Sequence, residues 1–212
     1  MDPNQTRTAL HGVAELLLAG PQYAASGDIR LRVLPYGIAT VAVPDLRLVR
    51  TDLVGAHGRV PLAGTYAEVA AAAQIAPREL GDVYHDRAAV TAEDAIVLDP
   101  ERLATLVDAL AVGDAALRAF APEAVPVLWP EHLDVAIETD QVNYGVSPGD
   151  ATHPEPYAYV GPWEPRTGPF WDQPFGAARP MAELGDTDAV IAFFEEGAAR
   201  AAADPAAGGP RP

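Results

Sequence analysis

The 212-residue chain contains no cysteine, which excludes disulfides, thiolate metal sites, iron–sulfur ligation and a cysteine nucleophile. It also has no lysine: all 14 cationic residues are arginine, scattered among 30 Asp and Glu, for a formal net charge of −16. That balance argues against a nucleic-acid partner, which needs clustered cations to displace counterions, and against an anionic membrane surface. Long apolar runs are missing as well. The most apolar stretch, Val13 to Ala19, is too short to span a bilayer and carries Glu15. It does not read as a signal peptide either, since Arg7 alone precedes it as a cationic residue and Gly20-Pro21-Gln22-Tyr23 is a poor cleavage site. A cytoplasmic protein is the expectation. No phosphate-binding loop, dinucleotide fingerprint or H-E-x-x-H pair occurs, so nothing supports ATP, NAD or zinc-protease chemistry.

The remaining composition, 49% hydrophobic and 21% charged, is that of a chain with a core. Leu10, Val13, Leu17 and their neighbours fall at helical spacing over residues 6 to 19, with Gly20-Pro21 as a stop. From Asp28 the period becomes two, and short apolar segments separated by turn residues up to Leu62 predict a meander of three or four antiparallel strands. Thr65 with Glu68 forms a capping-box pattern for a helix over 66–75. Residues 78–94 resist assignment, and Ile96 to Leu98 reads as a short strand. Asp99-Pro100-Glu101 opens the longest predicted helix, to about residue 121. A second run of strands follows: 125–129, 132–139, 142–146 and 157–160, with Asp140-Gln141 as a tight reversal. Residues 161–180 read as a long Pro/Gly loop, 186–203 as a last helix and 204–212 as a disordered tail. This order predicts an α+β fold, antiparallel strand meanders packed with about four helices, in one domain over 1–203. No repeat of fixed period is present.

The hairpin from His132 to Gly149 concentrates the polar chemistry. Alternation sends Leu133, Val135 and Ile137 to one face and His132, Asp134, Ala136 and Glu138 to the other. A two-residue turn at Asp140-Gln141 then sets Glu138 opposite Asn143, Ala136 opposite Gly145, Asp134 opposite Ser147 and His132 opposite Gly149. The polar face collects His132, Asp134, Glu138, Asn143 and Ser147, with space above Ala136 and Gly145. Two readings stay open. A solvated sheet face produces the H-x-D pair His132–Asp134 by alternation alone. Alternatively His153, with Glu155 as a further ligand or general base, completes a two-His, one-carboxylate site for one divalent metal ion. That triad resembles the one in jelly-roll oxygenases, although here the second His follows Asp134 by 19 residues only.

Gly145-Val146-Ser147-Pro148-Gly149 matches the nucleophile-elbow pattern in letters but not in mechanism. Pro148 has no N–H for an oxyanion hole and no helix start follows. His11, His57 and Tyr84-His85-Asp86 have no evident partner. The loop after 160 offers Trp163, Phe170, Trp171 and Phe175, preceded by Tyr157 and Tyr159, and Arg166 and Arg179 place cations nearby. These rings form either a lid over the polar hairpin face, making a pocket, or a cover on the second sheet.

The segments Leu128 to Ala136, Gly145 to Asp150 and Tyr157 to Val160 resemble proteins of unknown function common in actinobacteria, over residues 99–180. The resemblance carries no residue roles. The leading expectation is a small-molecule-binding domain without a cofactor, its ligand held by His132, Asp134, Glu138, Asn143, Ser147, Tyr157, Tyr159, Trp163, Arg166 and Trp171. The alternatives are a metal-dependent enzyme using His132, Asp134, His153 and Glu155, and a protein-interaction module built on the aromatic loop.

Overall fold

Ten short antiparallel strands form one continuous sheet in the computed structural model, which describes residues 3–85 and 88–208. Asp86, from the Tyr84-His85-Asp86 cluster, and residues 209–212 of the expected tail lie outside the described residues. The chain opens with helix α1 (Pro3–Gly12), which runs through a π-helical stretch (Val13–Ala19) directly into α2 (Gly20–Ser26). Gly20-Pro21 therefore does not stop the helix as expected. The Gly20 N–H reaches back five residues to the Glu15 carbonyl, and this wider turn accommodates the proline ring, which has no donor of its own. The actual stop is Gly27, in the left-handed region.

The first meander has five strands: β1 (Leu31–Leu34), β2 (Gly37–Thr40), β3 (Arg47–Val49), β4 (Asp52–Gly55) and β5 (Gly58–Pro61). The meander has one or two strands more than expected; Arg50, which takes a positive φ, turns β3 into β4. Helix α3 (Tyr66–Ala73) carries the expected capping box between Thr65 and Glu68. Ile96 to Leu98 is not a strand; only a single bridge, Thr65 to Ala95, forms there. The stretch before it is pinned by the buried Glu15, whose two carboxylate oxygens accept the Leu80 and Ala88 N–H groups.

Asp99 accepts from the Glu101 and Arg102 N–H groups and starts helix α4 (Pro100–Phe120). The second meander comprises β6 (Val127–Trp129), β7 (Asp134–Thr139), β8 (Val142–Ser147), β9 (Tyr157–Pro162) and β10 (Ala177–Pro180), followed by the short α5 (Met181–Leu184) and by α6 (Thr187–Ala203). Strand β10 lies inside the segment expected to be loop. Residues 204–207, expected to be disordered, are tied down. Asp204 accepts from the Trp171 indole, Pro205 O accepts the Thr167 N–H, and the Ala207 N–H donates to Pro165 O.

Sheet order is β10-β9-β8-β7-β6-β1-β2-β3-β4-β5, every neighbouring pair antiparallel, with the meanders joined where Leu31 pairs with Leu128. Each half thus runs long helix, five-stranded meander, helix, and the order is symmetric about the β1–β6 pair. The repeat lies in element order, not in residue spacing, because β7, β8 and β9 have six residues each where the first meander has three or four per strand. Helices other than α1 cover one face. The π-helical stretch packs on β1 and β2, α3 on β4 and β5, α4 on β7 and β8, and α6 on β8 and β9. Close approach of α4 depends on Gly113, where a Cβ would come within 2.6 Å of Val146 Cβ. Tyr144 fills the remaining space, its ring 4.8 Å from Phe120 and 5.8 Å from Phe194. Among the described residues no helix is long and apolar enough to cross a membrane.

Candidate functional site

The face of the second meander away from the helices carries Asp134, Gly145, Ser147, Tyr157 and Tyr159. The expected reversal at Asp140-Gln141 is present, both residues at positive φ, with Thr139 paired to Val142 and Ala136 to Gly145. The alternation does not extend back to His132. Leu133 turns at φ 57°, the strand starts at Asp134, and the β7–β8 ladder begins at Val135–Val146. The expected Asp134–Ser147 and His132–Gly149 pairs are therefore absent from that ladder: Asp134 pairs with Trp129 on one side, and Ser147 with Tyr157 on the other.

Tyr157 and Tyr159 of β9 were expected among the ligand-binding rings, and the strand register gives Tyr159 a specific task. Tyr159 stands directly opposite Gly145. A Cβ at Gly145 would lie 2.6 Å from the tyrosine hydroxyl, so only glycine lets the ring lie flat across the sheet. The ring thereby crosses to β7, where the Tyr159 hydroxyl donates to Asp134 Oδ2. Asp134 is 7% exposed, and its second oxygen, Oδ1, is buried without a hydrogen-bond partner. Burial raises the Asp134 carboxyl above the ordinary carboxylate range against the opposing Tyr159 bond and His132. Burial likewise raises the Tyr159 phenol, helped by the adjacent carboxyl.

Above this pair opens a cavity of about 1170 Å³. Its floor is Asp134, Asn143, Ser147, Tyr157 and Tyr159; its rim includes His132, Trp163 and Phe175; and one wall is helix α1, through Arg7, Thr8 and His11. Tyr157, Tyr159 and Phe175 form a triangle of rings with centroids 6.3 to 6.4 Å apart. The α1 wall is locked in place. His11 Nε2 donates to Pro130 O at 2.7 Å, and Arg7 Nη1 donates to Asp150 O at 2.6 Å. Burial lowers the His11 pKa and so favours the neutral ring, against the opposing effect of its bond to Pro130. Asp150 is buried enough to raise its pKa. Hydrogen bonds from the Tyr157 hydroxyl and from the His153 and Thr152 N–H groups outweigh that burial and leave it lowered, hence ionised.

Of the expected ligand-binding residues, the fold brings His132, Asp134, Asn143, Ser147, Tyr157, Tyr159 and Trp163 to this cavity. Three fall elsewhere. Glu138 is exposed beyond the far end, in a depression beside Trp129. Arg166 donates through Nε to Ala201 O at 2.9 Å and pairs with Glu164, and Trp171 donates to Asp204 at 2.9 Å. Both serve to fasten the aromatic loop to α6 and the tail. The loop is divided: Trp163 and Phe175 face the cavity, while Phe170 packs on Trp171 and Phe193.

The expected metal site is not assembled. His153 and Glu155 lie on the other side of Tyr157, which borders both regions. Glu155 is bonded to Arg102 at 2.6 Å, and His153 Nδ1 sits 3.7 Å from Asp150. Among the described residues no group of three or more His, Asp or Glu is placed to hold a metal ion. Ser147, the serine of the G-x-S-x-G pattern, accepts the Gly149 N–H in a turn, with no helix after it.

Arg7, His11, Glu131, Asp150 and Phe175 also line the cavity and were not foreseen as ligand-binding residues. For Arg7 and His11 a signal existed: two polar residues at i and i+4 on a helix whose neighbours are apolar share one stripe that faces something other than core. Compared with protein families, curated proteins and solved structures, the chain finds no match.

Proposed function

We propose that this protein binds a small molecule in the cavity between the outer face of β7–β9, the aromatic loop and α1. The observation that carries this reading is Asp134. Its carboxyl is held by Tyr159 on one oxygen and left without a partner on the other, at the floor of a cavity large enough for a metabolite. A buried unpaired acceptor costs folding free energy, and such groups concentrate where a ligand completes the hydrogen bonding. Apolar rings with a few convergent polar groups are the usual lining of such sites. The segment resemblance to actinobacterial proteins and a cytoplasmic setting belong to the same reading.

The exposed rings Trp163 (52%) and Phe175 (42%) favour a second reading, in which a protein partner covers the cavity mouth. A ligand-detected NMR screen of small aromatic fragments tests the first. Fragments bind the wild type and are lost in Ala151→Trp, which places a bulky ring at the exposed rim without touching the core. Equal binding by the plugged variant, or none by either protein, overturns the reading in favour of the second.

A further inference from the structure

We infer that the ligand of this cavity is an organic cation, a primary or secondary ammonium group carried on a flat apolar skeleton, paired through its N–H with Asp134 Oδ1. The inference rests on the cavity being a ligand site and goes on to its chemistry, for which three features of the lining agree.

Asp134 Oδ1 is the group in want of a partner, and Tyr159 already fixes the orientation of the carboxyl by donating to Oδ2. With the carboxyl ionised, the state that a cationic partner favours, Oδ1 only accepts, so the ligand atom that meets it must carry hydrogen. A charged donor makes the stronger bond and also neutralises the buried charge.

The formally charged lining suits a cation. Asp134, Glu131 and Asp150 are acidic, and Arg7, the arginine on the wall, is engaged with the Asp150 backbone carbonyl; His11, His85 and His132 complete the ionisable lining. His11 spends its Nε2–H on Pro130, leaving Nδ1 of the neutral ring as an acceptor. An anionic ligand would face Asp134 and Glu131 together, within a chain of net charge −16 whose field gathers cations.

The rings supply the rest. Tyr157, Tyr159 and Phe175 form a continuous aromatic wall beside the carboxyl, and a cation within about 6 Å of such faces is attracted by their quadrupoles. The same faces stack on a flat apolar skeleton.

Isothermal titration calorimetry with three matched probes, 2-phenylethylamine, 2-phenylethanol and 3-phenylpropanoate, tests the inference at neutral pH. The amine should bind about tenfold more tightly than the alcohol, with the carboxylate weakest, and Asp134→Asn should cost the amine about tenfold while moving the alcohol less than about twofold. Ala151→Trp should abolish binding of all three and keeps the test open if Asp134→Asn melts abnormally. Alcohol binding as tight as the amine, and still lost in Ala151→Trp, overturns the cation while leaving the small-molecule site in place. Failure of all three probes, with no chemical-shift change at the Tyr157 or Trp163 rings, overturns both.

Discussion

The two meanders repeat one sequence of elements and put it to different uses. In the first, the outer face meets solvent. Arg32, Ala39, Arg47, Val54 and Arg59 line up across β1 to β5; Ala39 is buried, Arg32 and Val54 are half-buried, and Arg47 and Arg59 are exposed and paired to nearby aspartates. In the second, three strands half again as long leave an outer face that the loop of 163–176 and helix α1 can enclose, and there Asp134 and Ser147 are buried. Ion pairs at an exposed sheet face contribute little, because water already solvates both partners. The same residue types under a second layer acquire shifted protonation and unmet hydrogen bonds, which is where ligand chemistry becomes possible. Duplicated architecture thus says little about function until one asks which copy is covered on both sides.

Three substitutions probe this contrast, the largest effect first. Tyr144→Ala, which empties the space shared by β8, α4 and α6, should destabilise the protein by roughly 3–5 kcal/mol in chemical denaturation. A loss below about 1 kcal/mol would mean that the second half does not depend on that aromatic cluster. Next, Gly145→Ala sets a methyl group against the Tyr159 ring and should cost about 1–3 kcal/mol. Val41→Ala, at an exposed position after β2, should stay within about 0.5 kcal/mol. Equal costs would erase the difference between a covered and an open outer face.

A fourth substitution has an effect of the opposite sign. The folded chain holds the Asp134 carboxyl above its unfolded value of 3.8, so the folded state binds more protons than the unfolded state once pH exceeds that value. Stability is therefore lost as pH rises from there through the folded-state pKa, and the cost is fully present above it. Asp134→Asn keeps an acceptor for Tyr159 and removes the charge. Relative to wild type its melting temperature should be unchanged at pH below the unfolded value, then rise by about 2–4 °C toward neutral pH, the equivalent of about 1 kcal/mol in a chain of this size. A gain that did not vary with pH would show that ionisation is not what makes Asp134 costly. A carboxylate retained against stability at the floor of a cavity is what a binding site predicts.

Much of the fold was legible in the sequence where its signals are local. Asp99-Pro100 caps α4, Thr65 and Glu68 cap α3, and the Asp140-Gln141 turn sets the β7–β8 register that places Glu138 opposite Asn143 and Ala136 opposite Gly145. Each depends on residues within a few positions of one another, where side-chain hydrogen bonds and backbone preferences decide the outcome. The errors came where a local rule met a packing demand. Pro21 stays helical because the preceding turn widens, β10 forms because β9 offers it an edge, and the tail is ordered because Trp171 and Thr167 bind it.

The site divides in the same way. Residue pattern alone singled out the His132–Asp134 region and the aromatics after it, since alternation and composition are properties of the chain in order. It could not separate His153 and Glu155 from Asp134, because their distance is set by the Tyr157 ring between them and by Arg102 on another helix. Nor could it show that Asp134 is buried with one oxygen satisfied. That follows from β9 pairing with β8 so that Tyr159 lies over Gly145, and from α1, well over a hundred residues distant in sequence, closing the wall through His11 and Pro130. Local energetics act between sequence neighbours and can be read from them. Burial is a property of which distant segments meet, and it is burial that sets Asp134 apart from an ordinary surface aspartate.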